Sequence, residues 1–354
     1  MPSTLFFILP FILVYTVFVV YAERKLSAFI QDRLGPMEVG YYGLLQTVAD
    51  LIKLIQKEDI VPDKADKWLF KAAPLIIFVV VFTAFAVLPL SPSWTGADIN
   101  TGLYFILAIV SLDVIGILLA GWSSNNKYGV LGTFRAAAQL VSYEVPLAIA
   151  ALCVVVYAES LDLQTIVMQQ SILSSETSYL FGISALNIEV QEIGGILSWN
   201  VCRYPLLFFA WIIFFIASLA ECNRAPFDLP EAESEIVAGF QTEYSGFRWS
   251  VIMLAEYGMM LLVSLLGSIL FFGGWASPLP NMGSITLANW TTGPVWGLFW
   301  LILKALFFVA VQIWIRWTYP RLRVDQLMNL GWKYLTPMAL VILFLSGIWK
   351  LLII

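Results

Sequence analysis

The sequence has no histidine, and its 354 residues include only three cysteines, Cys153, Cys202 and Cys222. No two cysteines have the Cys-x-x-Cys spacing of a metal or cluster site. Haem with histidine ligands, cysteine-ligated iron–sulfur clusters and most zinc sites are therefore excluded from this chain. Glycine-rich nucleotide-binding patterns are also absent. If the protein takes part in redox chemistry, the redox cofactors belong to other chains.

Charged residues are scarce as well: they make up 12% of the chain, against 60% hydrophobic residues, and the mean hydropathy is +0.85. A soluble domain of this size cannot hide so much apolar surface, so the composition predicts an integral membrane protein. The first 22 residues carry no side-chain charge and lack a basic start and a cleavage pattern, which predicts a retained first helix.

Eight stretches are long enough to cross about 30 Å of hydrocarbon. They are 1–22, 72–90, 102–122, 137–157, 204–221, 249–272, 295–315 and 334–353. The predicted fold is an all-α integral membrane protein with a single membrane domain over 1–354, a bundle of about eight transmembrane helices.

The basic residues are distributed unevenly between the loops. All of the 19 except Arg203, Lys304 and Lys350 lie in the loops after the first, third, fifth and seventh spans. By the positive-inside rule these loops face the cytoplasm, or an equivalent matrix, and both termini lie on the outer side. The predicted location is the bacterial inner membrane, or the mitochondrial inner membrane if the chain is organellar.

The stretch 41–57 has the pattern of an amphipathic helix that lies in the membrane interface. Its apolar face consists of Leu44, Leu45, Val48, Leu51, Ile52 and Ile55. Its polar face consists of Gln46, Asp50, Lys53 and Lys57. Two interpretations stay open: a membrane-surface anchor, or the border of an opening through which a lipid-soluble substrate enters from the bilayer.

An acidic segment, 221–247, connects the fifth and sixth spans. It carries six carboxylates and one cation before the sixth span: Glu221, Asp228, Glu231, Glu233, Glu235, Glu243 and Arg224. Carboxylates crowded beside a low-dielectric region repel one another and lose hydration, and both effects favour protonation. The segment therefore predicts proton handling. A structural alternative exists for Asp228 and Glu231, because Asp228-Leu-Pro-Glu231 also fits a helix start.

Four ionisable residues lie inside predicted spans. Glu144 and Glu256 are each about two turns from a span's start, and Asp113 and Lys304 are near the middle of theirs. Intramembrane ionisable groups are functional candidates because an unpaired charge there is costly. For Asp113 and Lys304 the alternatives are a buried ion pair and a lysine that reaches the interface.

Six stretches occur in the order of a known family. They are GPMEVGYYGLLQTVADLIKLIQKE (35–58), GWSSNNKYGVLGTFRAAAQLVSYE (121–144), AECNRAPFDLPEAESEIVAGFQTEYSG (220–246), LAEY (254–257), FFGGW (271–275) and YPRLRVDQLMNLGWK (319–333). With them the chain resembles the quinone-site membrane subunit of respiratory complex I. The resemblance implies eight transmembrane helices, a quinone chamber formed with two hydrophilic subunits, and a chain of carboxylates leading into the membrane.

The resemblance also implies roles for individual residues. The proton path would comprise Glu144, Glu221, Asp228, Glu231, Glu233, Glu235 and Glu256, to which Asp113 is added as an extension of the path. The quinone chamber would draw on Arg24, Asp50, Lys53, Arg224, Phe227, Glu243 and Arg321. Three positions depart from the family's usual residues: Thr47 replaces a proline, Val324 a tyrosine, and Asp113 a small uncharged residue.

The predicted function is therefore a membrane subunit of a proton-translocating NADH:quinone oxidoreductase. Quinone is the substrate, no metal or permanent cofactor is expected here, and NADH, FMN and iron–sulfur clusters belong to partners. Those partners are hydrophilic iron–sulfur and quinone-site subunits, small and antiporter-like membrane subunits, and lipid, but no nucleic acid. Two alternatives stay open: the membrane anchor of a related multisubunit hydrogenase, and a stand-alone proton-coupled transporter.

Overall fold

The structure is a computed structural model that describes residues 2–174, 179–183, 189–230, 233–281 and 286–353. Within these ranges the chain is helical and makes only isolated β-bridges. The α-helices are α1 (Pro2–Ile30), α2 (Gln46–Gln56), α3 (Lys67–Phe85), α4 (Gly102–Val110), α5 (Asp113–Ser123), α6 (Lys127–Ala158), α7 (Leu163–Gln169), α8 (Val190–Ile193), α9 (Asn200–Arg203), α10 (Pro205–Glu221), α11 (Glu233–Ile236), α12 (Gly246–Phe271), α13 (Leu287–Trp290), α14 (Pro294–Thr318), α15 (Val324–Asn329) and α16 (Thr336–Ile353). A π-helical turn, Leu330–Leu335, joins α15 to α16.

Six helical stretches of the described chain are long and apolar enough to cross a membrane. They are Lys67–Phe85, Gly102–Ser123, Lys127–Ala158, Gly246–Phe271, Pro294–Thr318 and Val324–Leu352. The apolar helix α10 is shorter, and the 29-residue α1 carries no charge before Glu23. A helix is thus found at each of the eight predicted spans, and the predicted fold class is confirmed.

Two helices begin earlier than the apolar stretches predict. The Asp66 side chain accepts hydrogen bonds from the backbone N–H groups of Trp68 and Leu69, and Asn126 accepts one from Tyr128. Both are N-cap residues that satisfy donors at a helix start. The helices therefore begin at these polar caps, five and ten residues before the predicted 72 and 137.

The helix α12 occupies the centre of the bundle and is almost wholly buried. It contacts α1, α3, α10 and α14. Two glycines allow close approach: a Cβ added at Gly258 would lie 3.1 Å from Val81, and one at Gly267 would lie 3.2 Å from Phe214. Small residues at helix interfaces permit this kind of packing in membranes.

The segment between α6 and α10, for which the sequence suggested no role, holds one end of α12. Gln170 donates from Nε2 to the carbonyl of Ile269 at 3.0 Å, and its Oε1 accepts from the N–H of Gly273 at 2.9 Å. Asn200 donates from Nδ2 to the carbonyl of Leu270 at 2.8 Å. The last carbonyls of a helix have no intrahelical partner, so Gln170 and Asn200 supply the missing donors.

Lys304 of α14 completes this clamp. Its buried ammonium donates to three backbone carbonyls, those of Phe272, Gly274 and Ala276, at 2.7 to 2.9 Å. It also lies 4.5 Å from the centre of the Trp199 ring, a cation–π distance. A cation near the carboxyl end of a helix interacts favourably with the helix dipole. Lys304 therefore has a structural partner for each of its N–H groups.

At the other end of the bundle, the four basic loops contact one another. The joining hydrogen bonds are Asn125 Nδ2 to the Lys64 carbonyl at 3.1 Å, Asn126 Nδ2 to Glu243 Oε1 at 2.7 Å, and the Leu322 N–H to the Pro226 carbonyl at 3.1 Å. The loops that share the basic residues in the sequence thus share one end of the molecule.

Candidate functional site

A buried carboxylate, Glu23 of α1, lies between two arginines from distant parts of the chain. Arg316 of α14 donates to its Oε1, and Arg224, which follows α10, donates to both oxygens at 3.4 Å. The hydroxyl of Tyr257 on α12 donates to Oε2 at 2.7 Å. Only 7% of the Glu23 side chain is exposed. We call these four residues the Glu23 cluster; it ties together three helices and the start of the acidic segment.

The electrostatics of the Glu23 cluster keep Arg224 charged. Burial lowers the pKa of its guanidinium, but the neighbouring Tyr257, Glu23 and Glu256 together hold the pKa above its usual range. The guanidinium also stacks 4.3 Å from the centre of the Tyr257 ring. The sequence placed Arg224 among the acidic-segment carboxylates, whereas its closest ion-pair partner in the described chain is Glu23.

Arg24, the next residue of α1, belongs to a second group at the surface. Its guanidinium lies 2.5 Å from Oδ2 of Asp50 on α2, and the Lys53 ammonium lies 3.5 Å from Oδ1. Partial burial raises the pKa of Asp50, but the hydrogen bond from Arg24 and the charges of Arg24 and Lys53 outweigh it, so the pKa is below its ordinary value. Three predicted chamber residues therefore meet at one place.

The four intramembrane carboxylates come from four different helices. Asp113 is on α5, Glu144 on α6, Glu221 at the end of α10 and Glu256 on α12. Glu144 and Asp113 are near enough to Glu221 to repel its charge. Because α6 begins at Lys127, Glu144 lies near the middle of that helix and not two turns from its start. These four residues of the predicted path are thus gathered around Glu221.

Glu256 is oriented by a relay of two side chains. The Gln241 amide donates from Nε2 to Glu256 Oε1 at 2.6 Å. The indole N–H of Trp249 in turn donates to Gln241 Oε1 at 3.0 Å, which fixes the orientation of the amide. Gln241 is buried and belongs to the acidic segment. The segment therefore contacts the intramembrane carboxylates through an amide as well as through Glu221.

Other carboxylates of the acidic segment are paired with basic side chains or amides. Glu235 lies 2.5 Å from Arg135 of α6, Asp228 lies 2.9 Å from Arg321, and Glu243 accepts from Asn126. The helix that follows Asp228 begins at Glu233, so the predicted helix start at 228 is wrong: residues 228–230 are not helical. Glu231 and the Glu233 side chain lie outside the described residues.

Phe227 lies inside the protein, where its ring packs edge-on against Tyr143 with the ring centres 5.2 Å apart. The Tyr143 hydroxyl donates to the carbonyl of Leu327 at 2.9 Å. Phe227 thus joins the acidic segment to α6 and α15. Its predicted contact with quinone stays a prediction.

The sequence did not single out Glu23, Tyr257, Arg316 or Gln241. Glu23 and Arg316 stand at the ends of apolar stretches, where charge is ordinary, and Arg316 was counted only as a topology signal. Their position on the same side of the predicted membrane was the available signal. Their pairing depends on how α1 and α14 pack, which no local pattern reveals.

The fold and the site define a polytopic helical membrane protein with ionisable side chains gathered in its interior. A family model described as NADH dehydrogenase matches residues 3–347 of the chain. A protein of Cytophaga hutchinsonii, named as the second of its H-type subunits of NADH-quinone oxidoreductase, is 57% identical over 354 residues, covering 97% of each chain. Proteins of Chlorobaculum parvum and Chlorobium luteolum, named as the H-type subunits of the same enzyme, are each 54% identical, over 93% and 94% of this chain and 86% and 84% of their own.

The chain belongs to the NADH dehydrogenase family. The resemblance that the six stretches predicted is thereby confirmed over nearly the whole chain.

Proposed function

We propose that this chain is the membrane subunit of an NADH:quinone oxidoreductase that forms the membrane side of the quinone chamber and starts a carboxylate path for protons. The family and the names of the relatives support the subunit assignment. They favour the quinone enzyme over a hydrogenase anchor or a stand-alone transporter. The individual residue roles rest on the geometry of the site.

One observation carries the residue roles: α1 joins the surface group to the interior through adjacent residues. Arg24 binds Asp50 at the surface, while Glu23 binds Arg224, Arg316 and Tyr257 in the interior. Arg224 in turn interacts electrostatically with Glu256, the neighbour of Tyr257. Charged groups therefore follow one another from the predicted chamber to the intramembrane carboxylates.

This arrangement suits a reaction in which charge appears on a bound quinone. Reduction to quinol adds electrons and requires protons, so negative charge develops before protonation is complete. Fixed arginines in a low-dielectric region stabilise such charge more strongly than they would in water. Carboxylates that already repel one another respond by shifting protons. In this proposal Arg24, Arg224 and Arg321 sense the quinone, and Glu221, Glu144 and Glu256 pass the response into the membrane.

The partners and the orientation belong to the same proposal. The end of the bundle that carries the basic loops would face the cytoplasm and bind hydrophilic iron–sulfur and quinone-site subunits. Small and antiporter-like membrane subunits would bind along the bundle. Both termini would lie on the outer side of a bacterial inner membrane. A cysteine that replaces the exposed Asp98 should react with an impermeant maleimide from outside; labelling only in inverted vesicles would reverse the orientation.

Glu→Gln variants of the intramembrane carboxylates test the function. Glu144→Gln and Glu221→Gln keep side-chain size but cannot ionise, so quinone reduction coupled to proton uptake should slow by roughly 10²-fold, as when a positioned proton-transfer group is lost. The measurement is NADH:quinone turnover and proton pumping of the assembled enzyme in membranes.

The matched control is Glu159→Gln. Glu159 is exposed and pairs with Lys350 at the opposite end of the bundle, and exposed pairs contribute little. NADH oxidation with a water-soluble acceptor that bypasses quinone reports whether the complex has assembled. Full turnover and pumping in both intramembrane variants would refute the proposed path.

A further inference from the structure

Asp113 is a buried carboxylate without a countercharge in the described chain. It stands in the first turn of α5 and is 7% exposed. Its Oδ1 has no hydrogen-bond partner among the residues that the structure describes. The ion pair that the sequence left open for Asp113 is likewise not formed within the described ranges. Burial of an unpaired carboxylate is costly, so its presence needs a compensating interaction.

A cavity lies directly against Asp113. It is lined by three carboxyl side chains, those of Asp113, Glu221 and Glu256, with Asn223 beside them. The remaining lining is mainly apolar and includes Ile77 of α3. The cavity has about 20 Å³ of space open to a water molecule, whereas about 10–15 Å³ is enough to hold one. A water there would have the polar partners that a buried water requires.

Glu221 has the same deficit as Asp113 on the other side of this cavity. It is 4% exposed, and its Oε2 has no hydrogen-bond partner in the part of the chain that the structure describes. Each of the two carboxylates repels the charge of the other. Two close carboxylates in a low-dielectric site do not both ionise readily, so they tend to share a proton.

We propose that Asp113 and Glu221 share one proton through a water bound in this cavity, and that Asp113 is thereby an additional proton-holding residue beside Glu256. The inference rests on the proposed function and deepens it. The water accepts the proton from one carboxylic acid as it donates one to the opposite carboxylate, so the pair keeps one proton and one negative charge. Glu144, Glu256 and Cys222 are the other titratable groups near the pair.

Substitution of Asp113 tests this role in the assembled enzyme. Asp113→Asn keeps the size and polarity of the side chain but cannot exchange its proton, so NADH:quinone turnover should fall roughly tenfold, less than the 10²–10⁴-fold expected for an obligatory group. Asp113→Glu should restore most of the turnover, because it restores the carboxyl group. A purely structural role predicts no such recovery, since Glu is larger than Asn. Heat inactivation of each variant measures any loss of stability.

The control is Asp98→Asn, since Asp98 is exposed before α4. Asp113→Ser, which is small and polar, replaces the Asn variant if that variant does not assemble. Turnover of Asp113→Asn equal to that of Asp98→Asn, while Glu221→Gln is slow, would overturn this inference and leave the proposed function standing. Full turnover in Glu221→Gln as well would overturn both.

Discussion

The adjacent residues Glu23 and Arg24 serve different surroundings because successive side chains of a helix point in different directions. Glu23 is buried among Arg224, Arg316 and Tyr257, whereas Arg24 pairs with Asp50 on α2. A single helix end therefore serves both the surface group and the interior. At the scale of the residue, the proposed path depends most on this pair.

Removal of the Glu23 charge should destabilise the protein. Glu23→Gln leaves Arg224 and Arg316 beside a neutral amide, and removal of one partner from a buried ion pair costs about 3–5 kcal/mol. We expect faster heat inactivation of the assembled enzyme and lower turnover. Glu23→Asp, which keeps the charge on a shorter side chain, should lose less. Equal stability of wild type and Glu23→Gln would show that the buried pairing is not needed.

The helices themselves could be predicted from the sequence, but their pairing could not. Apolar length located all eight spans, and charge distribution placed the basic loops at one end. The starts of α3 and α6 were missed because the caps Asp66 and Asn126 extend these helices beyond the apolar stretch. Cross-helix contacts such as Glu23 with Arg316 depend on packing between distant parts of the chain, which local patterns do not encode.

At the scale of the element, the clamp on α12 explains the segment 158–203, which matched no motif. Gln170 and Asn200 from that segment and Lys304 from α14 supply donors to carbonyls between Ile269 and Ala276. The same helix carries Glu256 and Tyr257 at its other half. A rigid α12 therefore links the two ends of the bundle, and its fixed position keeps both side chains in register with Arg224.

Loss of the Lys304 ammonium should loosen this clamp. Lys304→Met keeps the side-chain length but leaves three carbonyls without their donor, and hydrogen bonds to charged groups are each worth about 1.5–3 kcal/mol. We expect heat inactivation of the assembled enzyme at a clearly lower temperature. Lys67→Met, at an exposed position in the first turn of α3, is the matched control and should behave as wild type. An unchanged inactivation temperature for Lys304→Met would contradict the clamp.

At the scale of the whole molecule, the charged groups form one series from the surface to the centre of the bundle. It begins at Asp50 and Arg24, continues through Glu23 and Arg224, and ends at the carboxylates around Glu221. The predicted function, a membrane subunit of an NADH:quinone oxidoreductase, is confirmed by the family and the relatives. The proton path through these residues is the part that stays a proposal.

The most direct test is the infrared difference spectrum of the whole enzyme between oxidised and reduced quinone, in the region of the carboxylic C=O stretch. We predict a carboxylic-acid signal that changes on quinone reduction, is lost or reduced in Glu221→Gln, and is retained in Glu159→Gln. A spectrum in which no carboxylic-acid signal responds to quinone reduction, or in which Glu221→Gln matches wild type, would contradict the proposed path.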